Sequence, residues 1–151
     1  MAVNHESYST YRKVDVETTS QGKLLVMLFN GAIQRAEESR RLMEMAPMDI
    51  PAIHSKLVRA QDIIAELRAA LDMSVGEVAV NLDRSYEYYQ YLLIQANIKK
   101  DPEILVECVD LMTVIRDTWQ EVFDNLTESN ELPKERPAIN QHGSTVLNIT
   151  S

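Results

Sequence analysis

The sequence predicts an all-α protein: an antiparallel four-helix bundle with an N-terminal arm and a mostly disordered polar C-terminal tail. Three observations lead there. Apolar residues recur three and four apart through four long segments, the period of a helix with one buried face. Gly numbers 4 and Pro 5 in 151 residues, too few to punctuate the many short strands of a sandwich or barrel. Those breakers fall mostly between the periodic segments, so the connections are short and neighbouring helices run antiparallel. The apolar fraction of 45% and the charged fraction of 25% belong to a chain that can build a core, not to a disordered one.

The first helix is predicted from about Ser20 to Glu44. Thr18-Thr19-Ser20 offers N-cap hydroxyls, Thr18 and Gln21 have capping-box spacing, and Glu37 can pair with Arg41 one turn on. Residues 1–19 before it form the arm, which carries Tyr8 and Tyr11. Pro47 and Pro51 bracket a linker, and the second helix runs to about Asp72 with a heptad-like seam of Ile53, Leu57, Ala60, Ile64, Leu67 and Leu71. Gly76 opens the third helix, whose seam is Val78, Leu82, Ser85, Tyr89, Leu93 and Ala96. Lys99 and Lys100 suit the negative end of its dipole. Asp101 as N-cap and Pro102 in the first turn start the fourth, with a stripe from Ile104 through Cys108, Leu111, Ile115, Trp119 and Val122 to Leu126. The bundle is thus expected over residues 20–126 and a flexible tail over 127–151, ending in the apolar, β-prone run Val146-Leu147-Asn148-Ile149.

Composition excludes several classes of function. The net charge is −8, which opposes a broad nucleic-acid role, since phosphate binding wants clustered Lys and Arg. No apolar run approaches the ~18 residues of a membrane span, so no membrane insertion is expected, and the N-terminus has no secretory-signal pattern. The lone Cys108 cannot form an intrachain disulfide and fits a reducing cytoplasm.

Two helices carry more apolar surface than a bundle helix needs. Leu24-Leu25-Val26-Met27-Leu28-Phe29 covers the full circumference of the first. If Leu25, Leu28 and Ala32 face the core, Met27 points about 200° away. In the third, Tyr86 and Tyr89 lie along one side, and Tyr88 and Tyr91 along another with Leu92 beside them. The cover for this surplus is a central position in the bundle, the arm, a second copy in an unliganded homodimer, or a partner helix. Tyr suits a partner surface because its ring buries while its hydroxyl stays wet. Gly31 stands in mid-helix at a cost of roughly 1 kcal/mol relative to Ala and reads as a point of close approach by another helix, with contact to a partner as the alternative.

Catalytic constellations are missing. His5, His54 and His142 lie in the arm, the second helix and the tail, without metal-ligand spacing. The Glu-x-x-His pairs of a di-iron bundle, zinc spacings, a P-loop and a nucleophile elbow are all missing. Cys108 reads as core. Around His54, the run Ser55-Lys56-Leu57-Val58 puts Lys too near and bulk where a phosphotransfer domain would leave phosphate access. No cofactor and no metal are expected, and the chain does not read as an enzyme.

One ordered set of motifs resembles a known family, the flagellin-specific export chaperones of bacterial flagella, the FliS family. Tyr8-x-x-Tyr11 resembles its N-terminal aromatic pair. Thr18-Thr19-Ser20-Gln21-Gly22-Lys23-Leu24 is similar to its Thr-Ala-Ser-Pro-Gly-Lys-Leu, and Met27-Leu28-Phe29-Asn30-Gly31-Ala32-Ile33 to its Met-Leu-Tyr-Asp-Gly-Ala-Ile. Asn81-Leu82 with Tyr86-x-Tyr88, then Ala96-Asn97 before Asp101, then Arg116-x-x-Trp119, complete a series over about residues 8–123. Gln21, Phe29 and Asn30 depart from the family's Pro, Tyr and Asp. The resemblance implies a cytoplasmic bundle that binds the C-terminal segment of flagellin in apolar grooves, prevents premature polymerisation and aids delivery to components of the flagellar type III export gate. It also implies that the arm covers part of the groove when no client is bound. The expected partner-binding residues are Tyr8, Tyr11, Leu24, Met27, Gly31, Tyr88, Tyr91 and Leu92.

Overall fold

The computed structural model describes the backbone of residues 4–131 and the side chains of residues 20–128. The chain folds as four helices: α1 (Asn4–Met43), α2 (Ile50–Ala69), α3 (Glu77–Lys99) and α4 (Pro102–Glu131), with a single 3-10 turn at Met73–Val75 between α2 and α3. The predicted tail from residue 132 onward, with Val146-Leu147-Asn148-Ile149, lies outside the described residues.

The local signals at Gly76, Asp101 and Pro102 act where the sequence places them, and Asp49 adds a cap that was not singled out there. Asp49 Oδ1 accepts from Ala52 N–H at 3.2 Å, capping α2 ahead of Pro51. Asp101 Oδ1 accepts from Glu103 N–H at 3.0 Å, with Pro102 at the head of α4. Gly76 has φ +104°, a backbone state that L side chains rarely adopt, so glycine is required at this corner.

At the start of α1 the structure departs from expectation. The helix runs back to Asn4 instead of beginning near Ser20. Thr18, Thr19 and Ser20 are therefore interior helical positions and not caps. Nothing from residue 4 to residue 43 stops a helix: Gln21 supplies the backbone N–H that a Pro would lack, and the two isolated glycines, Gly22 and Gly31, are tolerated. Glu37 pairs with Arg40 at 2.8 Å in place of Arg41, and Arg40 also reaches Glu44 at 3.5 Å.

Each helix packs on two neighbours: α1 on α2 and α4, α3 on α2 and α4. This is a square with α1 and α3 on one diagonal. The hydrogen bonds fix the antiparallel direction. Arg68 meets Asp83 at 2.8 Å, Gln61 meets Gln90 at 3.3 Å and His54 meets Asn97 at 2.9 Å, so α3 advances as α2 retreats. The core joins Phe29, Ala32 and Ala36 of α1, Ile53, Leu57 and Ile64 of α2, Tyr86, Leu93 and Ala96 of α3, and Leu105, Cys108 and Met112 of α4. The expected α2 seam is buried apart from half-buried Leu71. In α3 the expected seam holds at Tyr89, Leu93 and Ala96, which are buried, while Val78, Leu82 and Ser85 are only half-buried and Ala79, Tyr86 and Leu92 join the core beside it.

Candidate functional site

Three of the motif residues that carry the family resemblance, Phe29, Tyr86 and Trp119, converge inside the bundle. Phe29 of α1 meets Tyr86 of α3 edge to face, with centroids 5.6 Å apart. Trp119 of α4 donates its Nε1–H to Tyr86 Oη at 3.1 Å. One turn earlier, Arg116 Nη1 donates to Asn30 Oδ1 at 2.8 Å, so Asn30 serves as acceptor where the family carries Asp. Three helices are thus locked by an aromatic cluster with its polar atoms satisfied. Burial pushes the Tyr86 hydroxyl up to about 12, so it stays a neutral acceptor and donor. Cys108 is fully buried and its thiol is also pushed up to about 12, chiefly by burial. It is an unreactive core residue, as expected.

Outside this core, four of the expected partner-binding residues are on the surface. Leu24 and Met27 of α1 are 54% and 65% exposed, and Tyr88 and Tyr91 of α3 are 42% and 53% exposed. The Tyr88 and Tyr91 rings stack, with centroids 6.1 Å apart and planes 19° apart. Tyr88 donates its hydroxyl to Glu107 of α4 at 2.7 Å, and that bond holds its pKa above the usual tyrosine value. The pair lines an open groove of about 590 Å³ with Arg68, Arg84, Glu87, Gln90 and Ile94. Sequence reading missed how far this surface extends. Ile94 and Ile98 are exposed as well, and Tyr91, Ile94 and Ile98 follow helical spacing along one stripe. The period was legible in the sequence.

Two of the expected contacts belong elsewhere. Leu92 is buried, with 5% exposure, because it follows Tyr89 and precedes Ala96 on the core seam. It is a packing residue and not a surface contact. Gly31 lies against α2. A Cβ built on it would meet Ile63 Cδ1 at 3.4 Å, the edge of ordinary contact. The tight approach is at Gly22, where an added Cβ would stand 2.6 Å from the Phe123 ring of α4. Tyr8 and Tyr11 fall on the backbone of α1, and their side chains lie outside the described ones.

The exposed residues form two patches and not one. Met27 lines the α1–α4 groove with Gly22, Val26 and Phe123, and Leu24 is exposed three residues before it on α1. Tyr88 and Tyr91 lie on α3, diagonal to α1. Gly22 sits at Phe123 and Tyr88 at Glu107. Those α4 positions are roughly 24 Å apart along the bundle axis.

Among the described residues, no helix is long and apolar enough to cross a membrane, and no group of His, Cys, Asp or Glu could hold a metal ion. The family model described as "Flagellar protein FliS" matches residues 4–126. The chain is 33% identical over 129 residues to the flagellar secretion chaperone FliS of Vibrio cholerae, covering 80% of this chain and 93% of that protein. It is 30% identical over 118 residues to the FliS of Bacillus subtilis, covering 78% and 86%. It is 33% identical over 114 residues to the flagellar secretion chaperone FliSB of Pseudomonas aeruginosa, covering 72% and 89%. Matched in this way over its helical bundle, the chain belongs to the FliS family of flagellar secretion chaperones, a family of chaperones and not of enzymes.

Proposed function

We propose that this chain is a cytoplasmic export chaperone that binds the C-terminal segment of flagellin on its outer apolar faces. There it prevents premature polymerisation and aids delivery to the flagellar type III export gate. The observation that carries this reading is the exposed apolar surface on diagonal helices, Leu24 and Met27 on α1 and the Tyr88, Tyr91, Ile94 and Ile98 stripe on α3, in a chain whose family is one of flagellar chaperones.

A subunit segment that waits for assembly is amphipathic, and its apolar face otherwise seeks another subunit. Laying that face into grooves of a folded bundle removes it from such pairing. An unfolded segment loses conformational entropy when it orders, so useful affinity needs a large contact area. Two patches separated along and around the bundle supply one only to a client that wraps. Tyr8 and Tyr11 compete for that surface when the segment before residue 20 leaves its helical continuation of α1 and folds back, and the client then displaces them.

Co-purification with the host's flagellin, followed by mapping of the protease-protected segment, tests the reading. It expects a defined complex with protection at the flagellin C-terminus. Light scattering that shows a dimer unchanged by flagellin peptide would instead make the surface a self-association face. Deleting residues 1–15 should strengthen peptide binding, and unchanged affinity would remove the arm from the mechanism.

A further inference from the structure

We infer that the C-terminal segment Val146-Leu147-Asn148-Ile149 folds back into the groove between α1 and α4, as an intramolecular occupant of that surface. The groove holds about 300 Å³, with Val26, Met27 and Phe123 as its apolar lining and Lys23, Asp124 and Thr127 among its polar residues. Met27 is left with most of its thioether surface exposed, and Leu24 lies beside it on the same helix. Val146, Leu147 and Ile149 are the densest apolar run after α4. In an extended segment the side-chain period of two places Leu147 and Ile149 on one face, about 7 Å apart, with Asn148 turned the other way.

Chain length favours this occupant. The residues between Glu131 and Val146 can span up to about 50 Å when extended, and roughly 20 Å on average as a flexible chain. Phe123 lies about 12 Å back along α4 from Glu131. The segment therefore reaches the groove without strain, and tethering presents it at an effective concentration of order millimolar. Weak intrinsic affinity is enough for it to close. Charge agrees: the connecting residues carry Lys134 and Arg136 against the single Glu135, and they pass α4 where Glu121, Asp124 and Glu128 are exposed. The family match ends at residue 126, so this device lies beyond the matched bundle. Its competition with a client rests on the reading that Leu24 and Met27 receive flagellin.

The test uses the full chain with ¹³C-labelled Met methyl groups, alongside the double variant Leu147→Asp, Ile149→Asp. The Met27 methyl resonance should move in the variant and that of Met73, at the α2–α3 corner, should not. The difference should be independent of protein concentration. Superimposable Met27 resonances would overturn the inference. So would a difference that vanishes on dilution, since the segment would then sit on another copy. Titration of a flagellin C-terminal peptide should show the variant binding about three- to tenfold tighter. Equal affinity would overturn the competition. Failure of the peptide to bind either chain would sink the flagellin reading, while the Met27 resonance would still decide whether the segment docks.

Discussion

Gly22 and Gly31 lie on the same face-rich stretch of α1 but answer to different neighbours. At Gly22 an added methyl collides with a Phe123 ring that Trp119 backs by stacking at 5.7 Å, so the ring has little room to retreat. Gly22→Ala should therefore destabilise the fold by about 1–3 kcal/mol, the range of overpacking. At Gly31 the methyl meets only the far end of Ile63 and the flexible Arg35. Relief of the glycine penalty then dominates, and Gly31→Ala should raise stability by up to about 1 kcal/mol. Urea denaturation of both variants checks the pair. Ser39 follows related reasoning. Its hydroxyl is fully buried with no hydrogen-bond partner, a costly state that methyl replacement removes. Ser39→Ala should leave stability unchanged or raise it by about 1 kcal/mol. Asp83 has the opposite character. Arg68 grips both its oxygens, at 2.8 and 3.2 Å, and holds its carboxyl below the usual range, chiefly through those hydrogen bonds. A depressed folded pKa gives stability that is complete above the unfolded value of about 4 and is lost as pH falls through the folded one. The pair is partly solvated, so Asp83→Asn should cost only about 0.5 kcal/mol at pH 7. Denaturation at successively lower pH should show that cost fading as the carboxyl protonates.

At the scale of elements, legibility followed how many faces of a helix are apolar. In α2 one face is apolar, and the seam from Ile53 to Leu67 is the buried one. In α3 apolar residues surround the axis. Several seams then have the right period, and only the neighbouring helices choose among them. That is why Leu92 joins the core while Ile94 stays outside, although spacing alone makes both candidates. The close approach at Gly22 was hidden for another reason: its cause is Phe123, a residue distant in the chain. The start of α1 shows a local signal overridden by the absence of a breaker. Thr18, Thr19 and Ser20 can cap a helix, but capping residues do not stop one that can continue. Gln21→Pro should supply the stop. It removes an N–H and sets the ring against the carbonyl of Glu17, which favours a new N-terminus at Ser20. Circular dichroism at 222 nm should lose the signal of about sixteen helical residues, with the thermal midpoint changed by only a few degrees because the described core lies beyond that point. An unchanged spectrum would mean that the segment before residue 21 re-forms its helix independently.

For the whole molecule, on the proposed reading, the placement of the two patches governs how a client binds. The sequence showed surplus apolar surface on the first and third helices but not that these helices are diagonal, since order around a bundle depends on packing and not on periodicity. With α1 and α3 diagonal, no short rigid helix touches Met27 and Tyr91 together. A segment that engages both gains from linkage: once one end is bound, the other meets its patch at a high effective concentration. Met27→Asp and Tyr91→Asp, both at solvent-exposed positions, should leave helical content and the denaturation midpoint nearly unchanged. Each should weaken binding of the full flagellin C-terminal segment about tenfold, equivalent to ~1.4 kcal/mol. The double variant should lose close to the product of the two, because sites this far apart share no partners. A flagellin peptide long enough for only one patch should respond to one substitution and ignore the other. Calorimetric titration of the four proteins against long and short peptides decides it. If each single variant weakens binding of the long segment by no more than about twofold while the double variant loses tenfold or more, the client uses one patch at a time, and wrapping is wrong even though the chaperone reading survives.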